Sequence, residues 1–549
     1  MALSYEVPDI LFICLNIVIF SGLGLRLGLP LLFTPFIGIA LVALVGNVCV
    51  YLEVLWFKPI MMALWGLGLL SWIHKLFTGA RQAEAKSALE SVAFFTLLSL
   101  LFGHFFTDFF PPELSAVTPD SFIYSRFYNL DVLFRSALST EMLEPSVSGS
   151  IGNPFYNPQK LGPYHLSAEA VLAALQLFVP HPNAESYATA LWVAVVGLLS
   201  YLGCLLTRDI DNILRRLAFC MLFAFAFAWL GIFGRIYGLA GYFHYNSPSF
   251  FGFACVFAAV LAVPVSWSLV LFMLMSAAAF KTSFAVLIPF AFLLYLPRVW
   301  GILNPRRIKE NYRRLLQLFI GGLNLLFTMS LVLFTEQANF AFGAGLRRST
   351  AAIARAEFVS WMGEFPRRLL SMFGVVEGSG LAFLMVAFAF IWVAPTVFCI
   401  FLDGVQKSKT ALFLLFLQIL GAFSFLLIET RGPISFDPWL LNVLLFIPIA
   451  IIFAGFALLR LAFTRVDEMG WKPASPLMSL ALCGILGFAI KPELNIVGWE
   501  KQKIQANTRY GSIIDQNLPV QAALFGQKIH HSAKNRFGHA FSVKDRSLQ

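Results

Sequence analysis

From Phe250 to Leu296 the only charged residue is Lys281. A run that long has no charged face to offer water, and similar apolar runs recur along most of the chain. Charged residues make up only 12% of the sequence and hydrophobic ones 59%. A soluble domain has about 25% and 45–50% respectively. Soluble multidomain, disordered, collagen-like and disulfide-scaffold folds are excluded on that ground. The expected class is an all-α polytopic membrane protein.

A bilayer core about 30 Å thick takes roughly 20 apolar residues as helix, fewer where neighbouring helices shelter the ends. Spans are expected at about 9–25, 30–50, 59–74, 89–106, 187–206, 217–236 and 249–265, then at about 267–281, 283–297, 315–335, 380–401, 411–428, 438–460 and 476–491. The total is about 13–14 transmembrane helices. Pro264 and Lys281 divide the long run from Phe250 into three short helices.

Cations sort by loop, as the positive-inside rule requires. With the N-terminus outside, the short inside loops hold Arg26; Lys75, Arg81 and Lys86; Arg208, Arg215 and Arg216. They also hold Arg298 with the cluster Arg306 to Arg314, then Lys407 and Lys409, then Arg465 and Lys472. The short outside loops hold chiefly Lys58 and Arg431. Much of the formal charge of +10 is therefore a topological label, and no nucleic-acid partner is expected. Met1 to Asp9 carries no positive charge, so no cleaved signal peptide is expected. All seven cysteines fall in apolar runs and read as small buried hydrophobes, not metal ligands.

The chain divides into N-terminal transmembrane helices (1–106), a long extracytoplasmic loop (107–186), a transmembrane core (187–491) with an outer loop at 336–379, and an extracytoplasmic tail (492–549). Within the first long loop, Ile123, Phe127, Leu130, Phe134 and Leu138 follow helical spacing, with Arg126, Asn129, Asp131 and Arg135 elsewhere on the wheel. Such an amphipathic helix suits the plane of the membrane interface. Ser167 to Val179 is apolar but too short to cross, and reads as an interfacial or re-entrant helix.

The same loop concentrates polar groups. Asp108 closes the fourth span, Asp120 opens the amphipathic helix with Tyr124 one turn on, and Glu141, Glu144, Tyr164, His165 and Glu169 follow. A carboxylate at the membrane surface can act as general base toward an acceptor hydroxyl, or hold a divalent cation beside a phosphate. Asp120 suits a helix N-cap equally well, and Asp108 suits a carboxylate that merely ends a span. His165 alone reads as a structural histidine, and His244, in an outside turn, is a weaker substrate-binding candidate. Lys281 sits between apolar helices toward the outer face, where it can neutralise a lipid phosphate or simply snorkel. Glu429 and Arg431 precede a late helix, where they form a local ion pair or Arg431 clamps a phosphate or sugar. No zinc spacing, P-loop or dinucleotide-binding glycine motif is present.

Four segments, taken in order, resemble a known family: Asp120-Ser121-Phe122-Ile123-Tyr124, Gly162-Pro163-Tyr164-His165-Leu166-Ser167-Ala168-Glu169-Ala170, Phe280-Lys281-Thr282-Ser283-Phe284 and Glu429-Thr430-Arg431-Gly432-Pro433. The chain resembles the bacterial polytopic glycosyltransferases of the GT-C superfamily. These depend on polyprenyl-phosphate sugars and include protein O-mannosyltransferases and lipid A aminoarabinose transferases. Ser125 stands where the family often has histidine, and the stretch after Lys281 lacks the family's glycine.

The resemblance implies a GT-C-like core in the bacterial inner membrane, with its active face extracytoplasmic. It implies direct displacement at the anomeric carbon of a polyprenyl-phosphate sugar, toward a glycan, lipid or protein acceptor. Asp120 would be the catalytic base or the ligand of a divalent cation; Asp108, selected by its position and not by the resemblance, is the second catalytic candidate. Tyr124, Tyr164, His165, Lys281, Glu429 and Arg431 would bind substrate, with membrane lipid as a further partner; His244 joins them only by its place in an outside turn. A lipid-linked glycan transporter and a non-catalytic assembly subunit are the alternatives.

Overall fold

A computed structural model describes residues 7–25, 31–79, 130–145, 166–179, 182, 184–207, 210, 212–230, 247–281, 284–285, 287–302, 308–333, 393–402, 408–427 and 437–470, with a few positions between 477 and 485. Among the described residues the fold is all-α, with no strand. The helices are α1 (Val7–Leu25), α2 (Thr34–Leu52), α3 (Phe57–Gly79), α4 (Leu130–Leu143), α5 (Ser167–Leu175), α6 (Ala184–Thr207) and α7 (Ile213–Leu230). They continue with α8 (Ser247–Ala262), α9 (Trp267–Phe280), α10 (Leu287–Ile302), α11 (Ile308–Leu333), α12 (Lys409–Leu427) and α13 (Asp437–Glu468).

The division at Pro264 and Lys281 has a local cause at each place. Val263 to Val265 turn the chain, and Ser266 is extended before α9 starts. Lys281 is extended too (φ −139°, ψ 111°), so α9 stops there. Gly470, at φ 74°, ends α13 in the left-handed conformation that glycine adopts without steric cost.

Two stretches of described helix are long and apolar enough by themselves to cross a membrane, Val54–Lys75 and Thr189–Thr207. Others, such as Ser247–Ala262 and Trp267–Phe280, are apolar but shorter. A helix of 16 residues is about 24 Å long at 1.5 Å per residue, less than a full bilayer core.

One hydrophobic core runs through the bundle. Antiparallel α8 and α9 form its centre, with α11 packed on α9 and α2 on α11. Helices α1, α2 and α3 pack together at the N-terminal side, and α13 lies against α7 and α12. Phe219 of α7 meets Phe456 of α13 at a ring separation of 4.8 Å.

The polarity of several helices is inverted relative to a water-soluble fold. Helix α11 buries Gln317, Asn324 and Thr328 on one face, spaced by helical turns. It exposes Phe319 (62%) and Leu326 (61%) on the other. The buried face is bonded: Ser268 Oγ donates to Gln317 Oε1 at 2.8 Å, and Asn324 Nδ2 to the Ala40 carbonyl at 3.1 Å. Helix α3 buries Ser71 and exposes Leu67, Leu70 and Phe77, and only 28% of its apolar stretch is covered by the protein. In α12, Gln418 is buried against Thr396 while Ile419 faces out.

Candidate functional site

Helix α5 is nine residues long, and every one of them is buried. It packs against α1, α2, α4, α6, α8 and α9, a hub reached by helices from the first of the chain to the ninth. The run Ser-Ala-Glu-Ala-Val-Leu-Ala-Ala-Leu is alanine-rich and favours helix, and Glu169 lies in the first turn, where the helix dipole favours an anion. Its last turn tightens, with Gln176 N–H on the Ala173 carbonyl at 3.0 Å, before Pro180 and Pro182.

At its start, Ser167 Oγ donates to the Ala279 carbonyl at 2.8 Å and accepts from Asn47 Nδ2 at 2.9 Å. Three helices meet in those two bonds: α5, the last turn of α9, and α2. At its end, Asn16 Nδ2 donates to the Leu175 carbonyl at 2.8 Å, and Trp65 Nε1 donates to Asn16 Oδ1 at 2.9 Å. Gln176 bridges Ser139 of α4 and Ser186 of α6. Nearby, Tyr187 OH and Ser247 Oγ are 3.2 Å apart, and Phe251 stacks on Phe280 at 5.1 Å. The starts of α6 and α8 and the end of α9 therefore gather at the same end of the bundle as α5.

Arg135 of α4 reaches into this hub and pairs with Glu169, Nη1 to Oε1 at 2.5 Å. Both side chains are buried, Glu169 completely. An amphipathic α4 lying in the membrane interface would leave its polar face in water. The structure differs: each described side chain from Arg135 to Leu143 is buried, Ser136, Ser139, Thr140 and Glu141 included. The polar face of α4 is covered because it has buried partners on α5. Three further oxygens, Glu169 Oε2, Asn47 Oδ1 and Ser249 Oγ, are buried with no hydrogen-bond partner among the described residues.

Of the candidate catalytic and substrate-binding residues, Lys281 is described. It follows α9 directly, half-buried, two residues past the carbonyl that Ser167 holds. Its own N–H donates to the Ala277 carbonyl at 2.9 Å. Asp108, Asp120, Tyr124, Tyr164, His165, His244, Glu429 and Arg431 lie outside the described residues. Among the described residues, no group of three or more His, Cys, Asp or Glu side chains is placed to hold a metal ion. Comparison with family models, curated proteins and solved structures returns no match to this chain.

Reading polar groups by loop names Arg135 and Glu169 but does not pair them. The pair's signal in sequence is a lone carboxylate inside a short apolar helix, which has to find a cation. Arg135 in the preceding helix is one such cation, 34 residues away.

Proposed function

We propose that this chain is a multi-span membrane enzyme, a GT-C-type glycosyltransferase that moves a sugar from a polyprenyl-phosphate donor to an acceptor outside the cytoplasm. Membrane embedding is supported by the inverted helices α3, α11 and α12. Apolar side chains facing outward and polar ones bonded within are stable where the surrounding solvent is lipid.

The transferase reading is carried by one juxtaposition. The start of α5, directly after Tyr164-His165, is bonded to the end of α9, directly before Lys281. These are two of the four segments that resemble the family, and they are 112 residues apart at the bonded atoms. Lys281 then lies beside the entrance to α5, a suitable place for a cation that neutralises a leaving phosphate. In the reaction, the acceptor oxygen bonds to the anomeric carbon as that carbon's bond to the phosphate oxygen breaks. The acceptor proton passes to Asp120, and polyprenyl phosphate leaves with the bonding electrons.

The test is release of polyprenyl phosphate by the purified protein in lipid nanodiscs, across a panel of polyprenyl-phosphate sugars with a hydroxylated acceptor. Wild type should turn over at least one donor, and Asp120→Asn should lose roughly 100-fold or more in rate, the scale of a lost general base. The variant should insert and elute as wild type does. Full activity in Asp120→Asn, or no release by wild type from any donor, would overturn the assignment.

A further inference from the structure

We propose that the facing ends of α10 and α11, with Arg298, Arg313 and Arg314, bind the headgroup of an anionic phospholipid. The proposal rests on the membrane reading above and is independent of the transferase reading. Between Arg298 and Arg314 the chain carries six cations (Arg298, Arg306, Arg307, Lys309, Arg313 and Arg314) against one acid, Glu310. That short segment supplies half of the formal excess of +10.

The described charges there differ from three paired arginines of the fold. Arg135, Arg215 and Arg465 each pair with a carboxylate. Arg298, Arg313 and Arg314 are exposed, and among the described residues no carboxylate pairs with them. Their partners are neutral. Arg298 lies 5.8 Å from the centre of the Tyr295 ring. Arg313 Nε donates to Tyr312 OH at 3.0 Å, and Arg314 Nη1 to Asn311 Oδ1 at 3.1 Å. Such contacts orient a guanidinium without neutralising it, and leave N–H donors for the oxygens of a phosphodiester.

What surrounds the charges selects a lipid over a soluble anion. Trp300 (75% exposed) and Tyr312 stand among them, as amphipathic rings do at a membrane boundary. Exposed Leu293 and Leu296 on α10 and Leu316 and Phe319 on α11 follow within one to two turns. Charged and aromatic side chains thus give way to apolar ones along both helices, matching headgroup and interface first and acyl chain next. Juxtamembrane clusters of four to eight Lys and Arg bind acidic leaflets through this combination.

The experiment uses the full chain in nanodiscs of phosphatidylcholine doped with phosphatidylglycerol. It measures the lipid retained by native mass spectrometry and the displacement of a fluorescent phosphatidylglycerol. Wild type should retain the anionic lipid preferentially. The R298Q/R313Q/R314Q variant, which removes exposed charges that contact only neutral groups, should insert normally and lose that preference at least tenfold. R460Q removes an exposed cation on α13 and should leave the preference intact. Equal retention by the triple variant, an equal loss in R460Q, or full displacement by inorganic phosphate would each overturn the lipid site. A wild-type protein that stays dispersed in buffer without lipid or detergent would instead overturn the membrane reading, and the lipid site with it.

Discussion

Glu169 stands in a helix otherwise built of serine, alanine, valine and leucine, with no water at hand to solvate its carboxylate. Arg135 supplies the counter-charge, and the pair ties α4 to α5. A buried pair of this kind is costly to break from one side, because the remaining charge is left in a low dielectric. Glu169→Ala or Arg135→Ala should each destabilise the protein by about 3–5 kcal/mol, whereas Arg135→Met with Glu169→Leu should fall much closer to wild type. Thermal unfolding in detergent reads the difference. Single variants that melt with wild type would mean that the pair does not hold the two helices. Such a partnership is invisible along the sequence, since nothing in residues 130–143 or 167–175 says which cation a lone glutamate meets.

At the scale of the element, α1 and α3 approach backbone to backbone. A Cβ built on Gly68 would lie 2.3 Å from the Ile19 carbonyl oxygen, while one on Gly66, half a turn away, meets nothing within 4 Å. Small residues at such crossings let two helix backbones approach closely. Gly68→Ala should therefore lower stability by about 1–3 kcal/mol as the helices are pushed apart. Gly66→Ala should be neutral or raise it by about 0.4–1 kcal/mol, because alanine narrows the unfolded ensemble. Matched melting curves test the contrast, and equal effects would remove the close crossing from the account. Helix type and breakpoints were legible here: apolar runs form helix, and Pro264 and Lys281 interrupt one. Which glycine faces a neighbour was not, since that depends on the rotation of α3 about its own axis.

At the scale of the whole molecule, the described helices gather at two opposite ends. Arg215, at the start of α7, pairs with Asp467, at the end of α13, at 2.5 Å, and its guanidinium lies 5.0 Å from the centre of the Phe463 ring. Helix α6, 24 residues and about 36 Å long, separates that end from the one where α5 meets Lys281. Single cysteines at Asn212→Cys and Glu468→Cys should be labelled by a membrane-impermeant reagent from the same face, and Lys281→Cys from the opposite face. Labelling of all three from one face would break the topology.

The sequence by itself determined the all-helical class, the rhythm of apolar runs and the placing of cations in alternate turns. Each of these follows from local solvation of a segment. Only the tertiary structure decided that α4 would bury its polar face, that α5 would become the hub, and that its first turn would lie beside Lys281. Those outcomes depend on which buried donors and acceptors satisfy one another across 34 to 159 residues of chain, and pairing at that distance is a property of packing.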